Sequence, residues 1–376
     1  LGISIYLRAL ELLGKEVELP EDAYRGEYIK ELAKKLLEIY PQIGEIEEEK
    51  AIELSANFGK EEMLKEIKED LKLLKVEFDN WFSEKELHDK GMIEEAIKLL
   101  KEKGLIYEKE GALWFKSTAF GDDKDRVVRR KTGEYTYFAA DIAYHLNKIK
   151  RGYYKGINVW GADHHGYIKR VKAAIEAFGK NPDWLEVVLI QLVKLYKKGQ
   201  EVKMSKRAGN FVTLRWLMEE VGTDAVRFFF LLKRHDTPLD FDLDLAVSQK
   251  SENPVYYVQY AHARICSILD KARERGFKPE KEKLNLLESS EEKELISLCY
   301  SLKYELQEIA RKLEPHRLTY YLINLASTFH KFYNKHKVID EKNKELSNAR
   351  LYLIEGVRKT INSGLKLINV TAPRRM

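Results

Sequence analysis

Apolar positions recur at three- and four-residue steps early in the chain, with Ile29, Leu32, Leu36 and Leu37 marking one helical stripe. The charged stretch from Glu45 to Leu74 repeats the pattern, so residues 1–110 are expected to be largely helical. Shorter apolar runs follow. Leu105 to Phe115 breaks at Gly111 and predicts a hairpin, and the charged residues 121–130 predict a loop. A helix carrying Tyr137 and Asp141 then leads to the run Ile157–Trp160, which ends in Gly161-Ala162-Asp163-His164-His165-Gly166. A helix is expected from there to Phe178, and a buried strand over Val187–Leu195. Strand, glycine turn, helix and strand make the unit of a parallel α/β sheet. Such sheets bind ligands at the carboxyl ends of their strands, which makes 161–166 the expected nucleotide loop. From Thr213 the pattern is helical nearly to the end, with Thr223-Asp224 expected to cap a helix over 225–232. Residues from about 245 to 367 have the length and alternation of a multi-helix bundle.

At 376 residues the chain exceeds what one core serves, and three regions are expected. These are a helical insertion with a hairpin (1–130), half of a nucleotide-binding sheet domain (131–244) and a helical domain (245–376). The composition, 44% hydrophobic and 34% charged with no long apolar run, argues against a membrane span. The apolar start Leu1–Leu10 lacks the basic residues and cleavage site of a signal peptide. Cys266 and Cys299 are the two cysteines. Their separation argues against a disulfide framework or a Cys-rich zinc site, and a reducing cytoplasm fits. Charge is uneven: residues 251–376 hold 23 Lys and Arg against 16 Asp and Glu, together with nine Tyr. A basic, Tyr-rich module suits phosphates and stacked bases, although a solvated helical face would have the same composition.

The string Val202-Lys203-Met204-Ser205-Lys206-Arg207-Ala208-Gly209-Asn210 sets two lysines three apart around a hydroxyl, on a loop between Gly199 and Gly209. When a carboxylate attacks an α-phosphate and pyrophosphate leaves, compact cations of this kind stabilise the charge that builds up on the departing oxygens. Lys203-Met204-Ser205-Lys206 resembles the second signature of class I aminoacyl-tRNA synthetases. Tyr135–His145, Val159–Tyr167, Leu239–Asp244, Asn253–Arg264 and Ala372–Met376 are similar to the arginyl branch of that class, so the resemblance extends over the whole chain. It implies α/β plus all-α architecture: the second half of a Rossmann-like parallel-sheet nucleotide-binding domain with a helical insertion, followed by an α-helical anticodon-binding bundle.

The resemblance also implies site residues. Lys203, Ser205 and Lys206 would serve catalysis. Gly161, Asp163, His164, His165 and Met204 would bind ATP, with Gly161 giving close approach and Asp163 facing the ribose. Tyr137 and Asp141, four apart and so on one helix face, would contact arginine, whose planar guanidinium wants a carboxylate and an aromatic neighbour. Tyr257, Tyr260 and Arg264 would touch tRNA, although aromatic residues at helical spacing are often simply core. ATP with Mg²⁺, L-arginine and a tRNA reading arginine codons are the implied substrates, and a cytoplasmic monomer without membrane contact is the implied state. No structural metal is expected: on a strand, adjacent His164 and His165 would point to opposite faces, and no further His or Cys lies at ligand spacing.

One departure stands out. The His-x-Gly-His type of first signature does not occur in the chain. The expectation is therefore a chain lacking the upstream half of the family's sheet, and unable to activate arginine well by itself. Two alternatives stay open at this point: a non-catalytic tRNA-binding module, and another class I synthetase such as the cysteinyl type.

Overall fold

The structure is a computed structural model that describes residues 1–202 and 212–376. The described residues form two compact units, one of Leu1–Glu77, Lys194–Leu232 and Asp240–Met376, the other of Phe78–Val193 and Lys233–Leu239. Among them no helix is long and apolar enough to cross a membrane.

The first unit opens with helices α1 (Gly2–Leu12), α2 (Glu27–Ile39) and α3 (Glu48–Leu73). Their apolar stripes close over Ile5, Ala9, Ile29, Leu36 and Ile43, the burial expected of three amphipathic helices. α1 meets α3 closely because Gly2 lacks a side chain: a Cβ there would sit 2.6 Å from the Ile52 carbonyl oxygen.

The second unit carries α4 (Lys85–Asp89), α5 (Met92–Glu102), β1 (Ile106–Lys109), β2 (Ala112–Phe115), β3 (Arg126–Arg129), α6 (Tyr137–Lys150), β4 (Gly156–Gly161), α7 (Ile168–Ala177) and β5 (Leu185–Ile190). The hairpin expected at Gly111 is present, with Gly111 at φ +76°. The loop expected over 121–130 is not wholly a loop. Within it β3 pairs antiparallel with β2, because Val128 is buried while charged neighbours on both sides disguise so short a strand. β4 and β5 run parallel, in register from Gly156 opposite Leu185 to Gly161 opposite Ile190. The core gathers Phe115, Val128, Phe138, Ile142, Val171 and Leu185. The single strand expected over 187–195 is also corrected. β5 stops at Ile190, Leu192 is 80% exposed, and a new strand starts at Val193.

That new strand, β6 (Val193–Lys197), joins β7 (Gln200–Glu201) and β8 (Leu239–Asp242) in a separate sheet of order β7-β6-β8. Helices α8 (Leu214–Val221), α9 (Thr223–Phe230) and α10 (Leu243–Val247) accompany it. β8 interrupts the helical pattern expected after Thr213. Its alternation, Leu239 and Phe241 buried between exposed Asp240 and Asp242, is of period two. The bundle follows as α11 (Pro254–Glu274), α12 (Ser290–Lys312), α13 (His316–Lys335) and α14 (Lys344–Leu367). Asn253 caps α11 ahead of Pro254, and Ser289 with Glu292 forms a capping box on α12.

The cap expected at Thr223-Asp224 is a different device. Gly222 precedes the helix, and neither side chain caps it. Asp224 instead accepts from Lys75 Nζ at 2.9 Å, Gln259 Nε2 at 3.0 Å and the Thr371 backbone N–H at 3.0 Å. One turn on, Arg227 donates to the carbonyls of Leu74 and Ile368, both at 2.6 Å. These are the carboxyl ends of α3 and α14, where a cation meets the negative end of each helix dipole.

Candidate functional site

Helix α6 starts where Thr136 Oγ1 accepts from the Ala139 N–H, 3.4 Å away, so Tyr137 falls in the first turn with its side chain outward and 81% exposed. Asp141 lies one turn further along, half-buried. Burial raises its pKa above the ordinary carboxylate value, and Glu84 adds to the rise. The Tyr167 hydroxyl, Lys148 and His164 oppose it without cancelling it. Tyr167 is itself held firmly: the Arg170 guanidinium lies 4.6 Å from its ring centroid, and Phe138 and Trp160 meet it edge-on at 6.0 and 6.1 Å. An under-solvated carboxylate beside an exposed phenol favours a planar cation as its partner.

β4 delivers the second group. At its carboxyl end Gly161 leads into a 3-10 turn over Ala162–Tyr167. A Cβ on Gly161 would lie 2.5 Å from Asp163 Oδ1, so glycine leaves room for that side chain. Asp163 and His164 are 81% and 60% exposed and stand 3.6 Å apart, while His165 is exposed. The histidines sit on the turn, not on the strand, so the opposite-face argument made for a strand does not apply to them. Among the described residues no three His, Cys, Asp or Glu side chains converge as metal ligands. The structure thus brings Tyr137, Asp141, Gly161, Asp163, His164 and His165 together in one unit. Lys203, Met204, Ser205 and Lys206 lie outside the described residues. Tyr167, whose hydroxyl interacts with Asp141, was not among the residues singled out from the sequence. It stands at the end of the same motif string, but only the fold turns its hydroxyl toward α6.

In the other unit, α11 sets Tyr256 and Tyr260 in parallel stacking, centroids 5.9 Å apart. The Arg264 guanidinium lies 4.5 Å from the Tyr260 centroid and 5.0 Å from that of Tyr333, and it donates to the Tyr260 hydroxyl. Tyr260 and Arg264 line a cavity of about 840 Å³ with Lys271, Tyr333, Lys337 and Arg375. Tyr257 turns to His330, 4.8 Å away, and does not line it. Sequence reasoning missed Tyr333 and Arg375, whose partners are distant in the chain.

Comparison with known proteins bears on the family and the fold. Residues 27–236 match the family described as tRNA synthetases class I (R), catalytic domain, and residues 258–376 match the DALR anticodon binding domain. The arginine–tRNA ligase of Aquifex aeolicus is 51% identical over 417 aligned residues, covering 100% of this chain and 71% of that protein. That of Bacillus subtilis is 50% identical over 378 residues, covering 100% and 68%. A Campylobacter jejuni structure assigned as an arginyl-tRNA synthetase superposes with a TM-score of 0.89 at 39% identity, covering 100% of this chain and 81% of that one. A parallel-sheet catalytic domain followed by a helical anticodon domain is the architecture of a class I aminoacyl-tRNA synthetase. The chain belongs to the arginyl-tRNA synthetase family. Its ATP-dependent relatives are arginine–tRNA ligases, which sets aside the cysteinyl and non-catalytic alternatives.

Proposed function

We propose that within this ligase family the chain binds arginine through Asp141 and Tyr137, and the ATP that activates it along Gly161, Asp163, His164 and His165. The half-buried Asp141, one turn along the helix from an exposed Tyr137, carries the reading. In the reaction an arginine carboxylate oxygen bonds to the α-phosphorus of ATP and the bond to pyrophosphate breaks. Lys203, Ser205 and Lys206 stabilise the leaving pyrophosphate, with Met204 against the nucleotide. The 2′-oxygen of the terminal adenosine of an arginine-accepting tRNA then bonds to the carbonyl carbon, and AMP leaves. Mg²⁺ comes with the triphosphate, whose oxygens it neutralises. Tyr257, Tyr260 and Arg264 serve the tRNA, and the protein works in the cytoplasm as a monomer.

Asp141→Asn tests the central assignment. Neutralising the acceptor of a charge-assisted pair should weaken arginine binding by at least about tenfold, while tRNA affinity stays unchanged. Equal losses of both would count against the assignment, since they would mean a general disturbance of the fold.

A further inference from the structure

Beneath the Asp141 carboxylate lies a buried polar chain that the reaction as derived above does not use. His145 is 2% and Asn158 6% exposed. His145 Nδ1 lies 2.7 Å from the Asp141 carbonyl oxygen, His145 Nε2 lies 2.8 Å from Asn158 Nδ2, and Lys148 Nζ donates to Asn158 Oδ1 at 3.0 Å. Lys148 also sits 4.4 Å over the Tyr144 ring.

The chemistry of the donors fixes every proton in this chain. A carbonyl oxygen only accepts, so His145 Nδ1 carries the hydrogen. Nε2 is then a bare lone pair, which the Asn158 amide nitrogen must supply, and Asn158 Oδ1 is left to accept from Lys148. All three side chains are satisfied in one orientation, and burial keeps the imidazole neutral, with its pKa lowered to about 4. The chain joins two elements. Asp141, His145 and Lys148 belong to α6, while Asn158 belongs to β4, three residues before Gly161. Asp141 is thus tied by its carbonyl through His145 to Asn158 on the strand that leads to the nucleotide segment.

We propose that the Lys148–Asn158–His145 chain sets where the Asp141 carboxylate stands relative to the Gly161 turn, making His145 and Asn158 positioning residues for the arginine that reacts with ATP. The inference rests on the assignment of Asp141 to arginine. A guanidinium held by two parallel hydrogen bonds tolerates little displacement of its carboxylate partner. A small slide of α6 along β4 should therefore loosen arginine while leaving the loop that meets ATP in place.

The test uses the whole 376-residue chain, labelled with ¹⁵N-histidine for NMR and assayed by equilibrium dialysis with L-arginine and, separately, with Mg-ATP. His145 should show a protonated Nδ1 and an unprotonated Nε2 at neutral pH. Asn158→Ala should weaken arginine by about tenfold and leave ATP within about twofold. His145→Gln, whose amide oxygen can take the hydrogen bond from Asn158, should recover most of the arginine affinity that His145→Leu loses. A proton on Nε2, unchanged arginine affinity in Asn158→Ala and His145→Leu, or equal loss of both ligands would overturn the proposal. Absence of arginine binding by the unaltered chain would instead sink the Asp141 assignment, and the positioning role with it.

Discussion

Two kinds of buried titrating group give opposite pH signatures at the level of single residues. Burial raises the pKa of Asp141 in the free protein, and a bound guanidinium would lower it. Arginine affinity should therefore be level at neutral pH and decline as pH falls through that raised pKa, whereas Asp141→Asn should bind weakly without the decline. Isothermal titration across the acid range would show it; a decline that persists in the variant would point to another group. His145 and His330 behave otherwise. Burial depresses both to about 4, while an unfolded histidine titrates near 6.5. Each contributes stability that is complete above about 6.5 and is lost as pH falls toward 4, on the order of 3 kcal/mol apiece at most. The urea midpoint should fall across this window, and His330→Gln should flatten the fall; an unchanged slope in that variant would argue that His330 is accessible to protons in the fold. Asp141, with its pKa raised, acts in the opposite sense and partly offsets the loss. None of these shifts could be read from the sequence, where Asp141 is a helix acid and His145 one letter in a motif, because burial by partners distant in the chain creates them.

Long periodic elements announced themselves, as did the short hairpin at Gly111 through its turn residue, but other short strands did not. The helix bearing Tyr137 and Asp141, the strand ending at Gly161 and the closing bundle all stand where their spacing predicts. β3 and β8, four residues each, escaped because two apolar side chains among charges are too few to establish a period. The split between β5 and β6 escaped because Leu192 is apolar yet exposed. Asp224 shows the same limit in energetic form. Read as a local cap, it is instead a junction for α3, α9, α11 and the C-terminal segment at Thr371. Its pKa is governed first by burial, which raises it, and then by Thr371 and Lys75, which together bring it below the ordinary value. Asp224→Ala leaves the Thr371 N–H without its acceptor and takes one acceptor each from Lys75 and Gln259, which keep the carbonyls of Asn369 and Thr371. We expect a loss of about 2–4 kcal/mol in chemical denaturation, the range for breaking a partly buried charged network. A loss below about 0.5 kcal/mol would mean that water replaces the carboxylate freely.

Over the whole molecule, charge and architecture agree on where nucleic acid belongs. The positive excess gathers in residues 251–376, while the first 250 residues carry a net charge of −2. The cavity on the bundle combines three cationic side chains beyond Arg264 with the rings of Tyr260 and Tyr333. Charge alone would bind any RNA, with an affinity that falls steeply as salt rises. Aromatic rings and a guanidinium are groups of the kind that stack on splayed bases, which on the proposed reading would add a sequence-dependent contribution. The two contributions separate experimentally. At fixed salt, a tRNA reading an arginine codon should bind at least about tenfold more tightly than the same tRNA with its anticodon exchanged, each lost base contact costing about 1–3 kcal/mol. Arg264→Ala should erase most of that difference, and Lys271→Ala should weaken both tRNAs alike while reducing the salt slope by about one. Equal binding of the two tRNAs by the unaltered chain would leave the bundle a phosphate-binding surface, and would remove Tyr260 and Arg264 from anticodon recognition while leaving the assignment of Asp141 to arginine untouched.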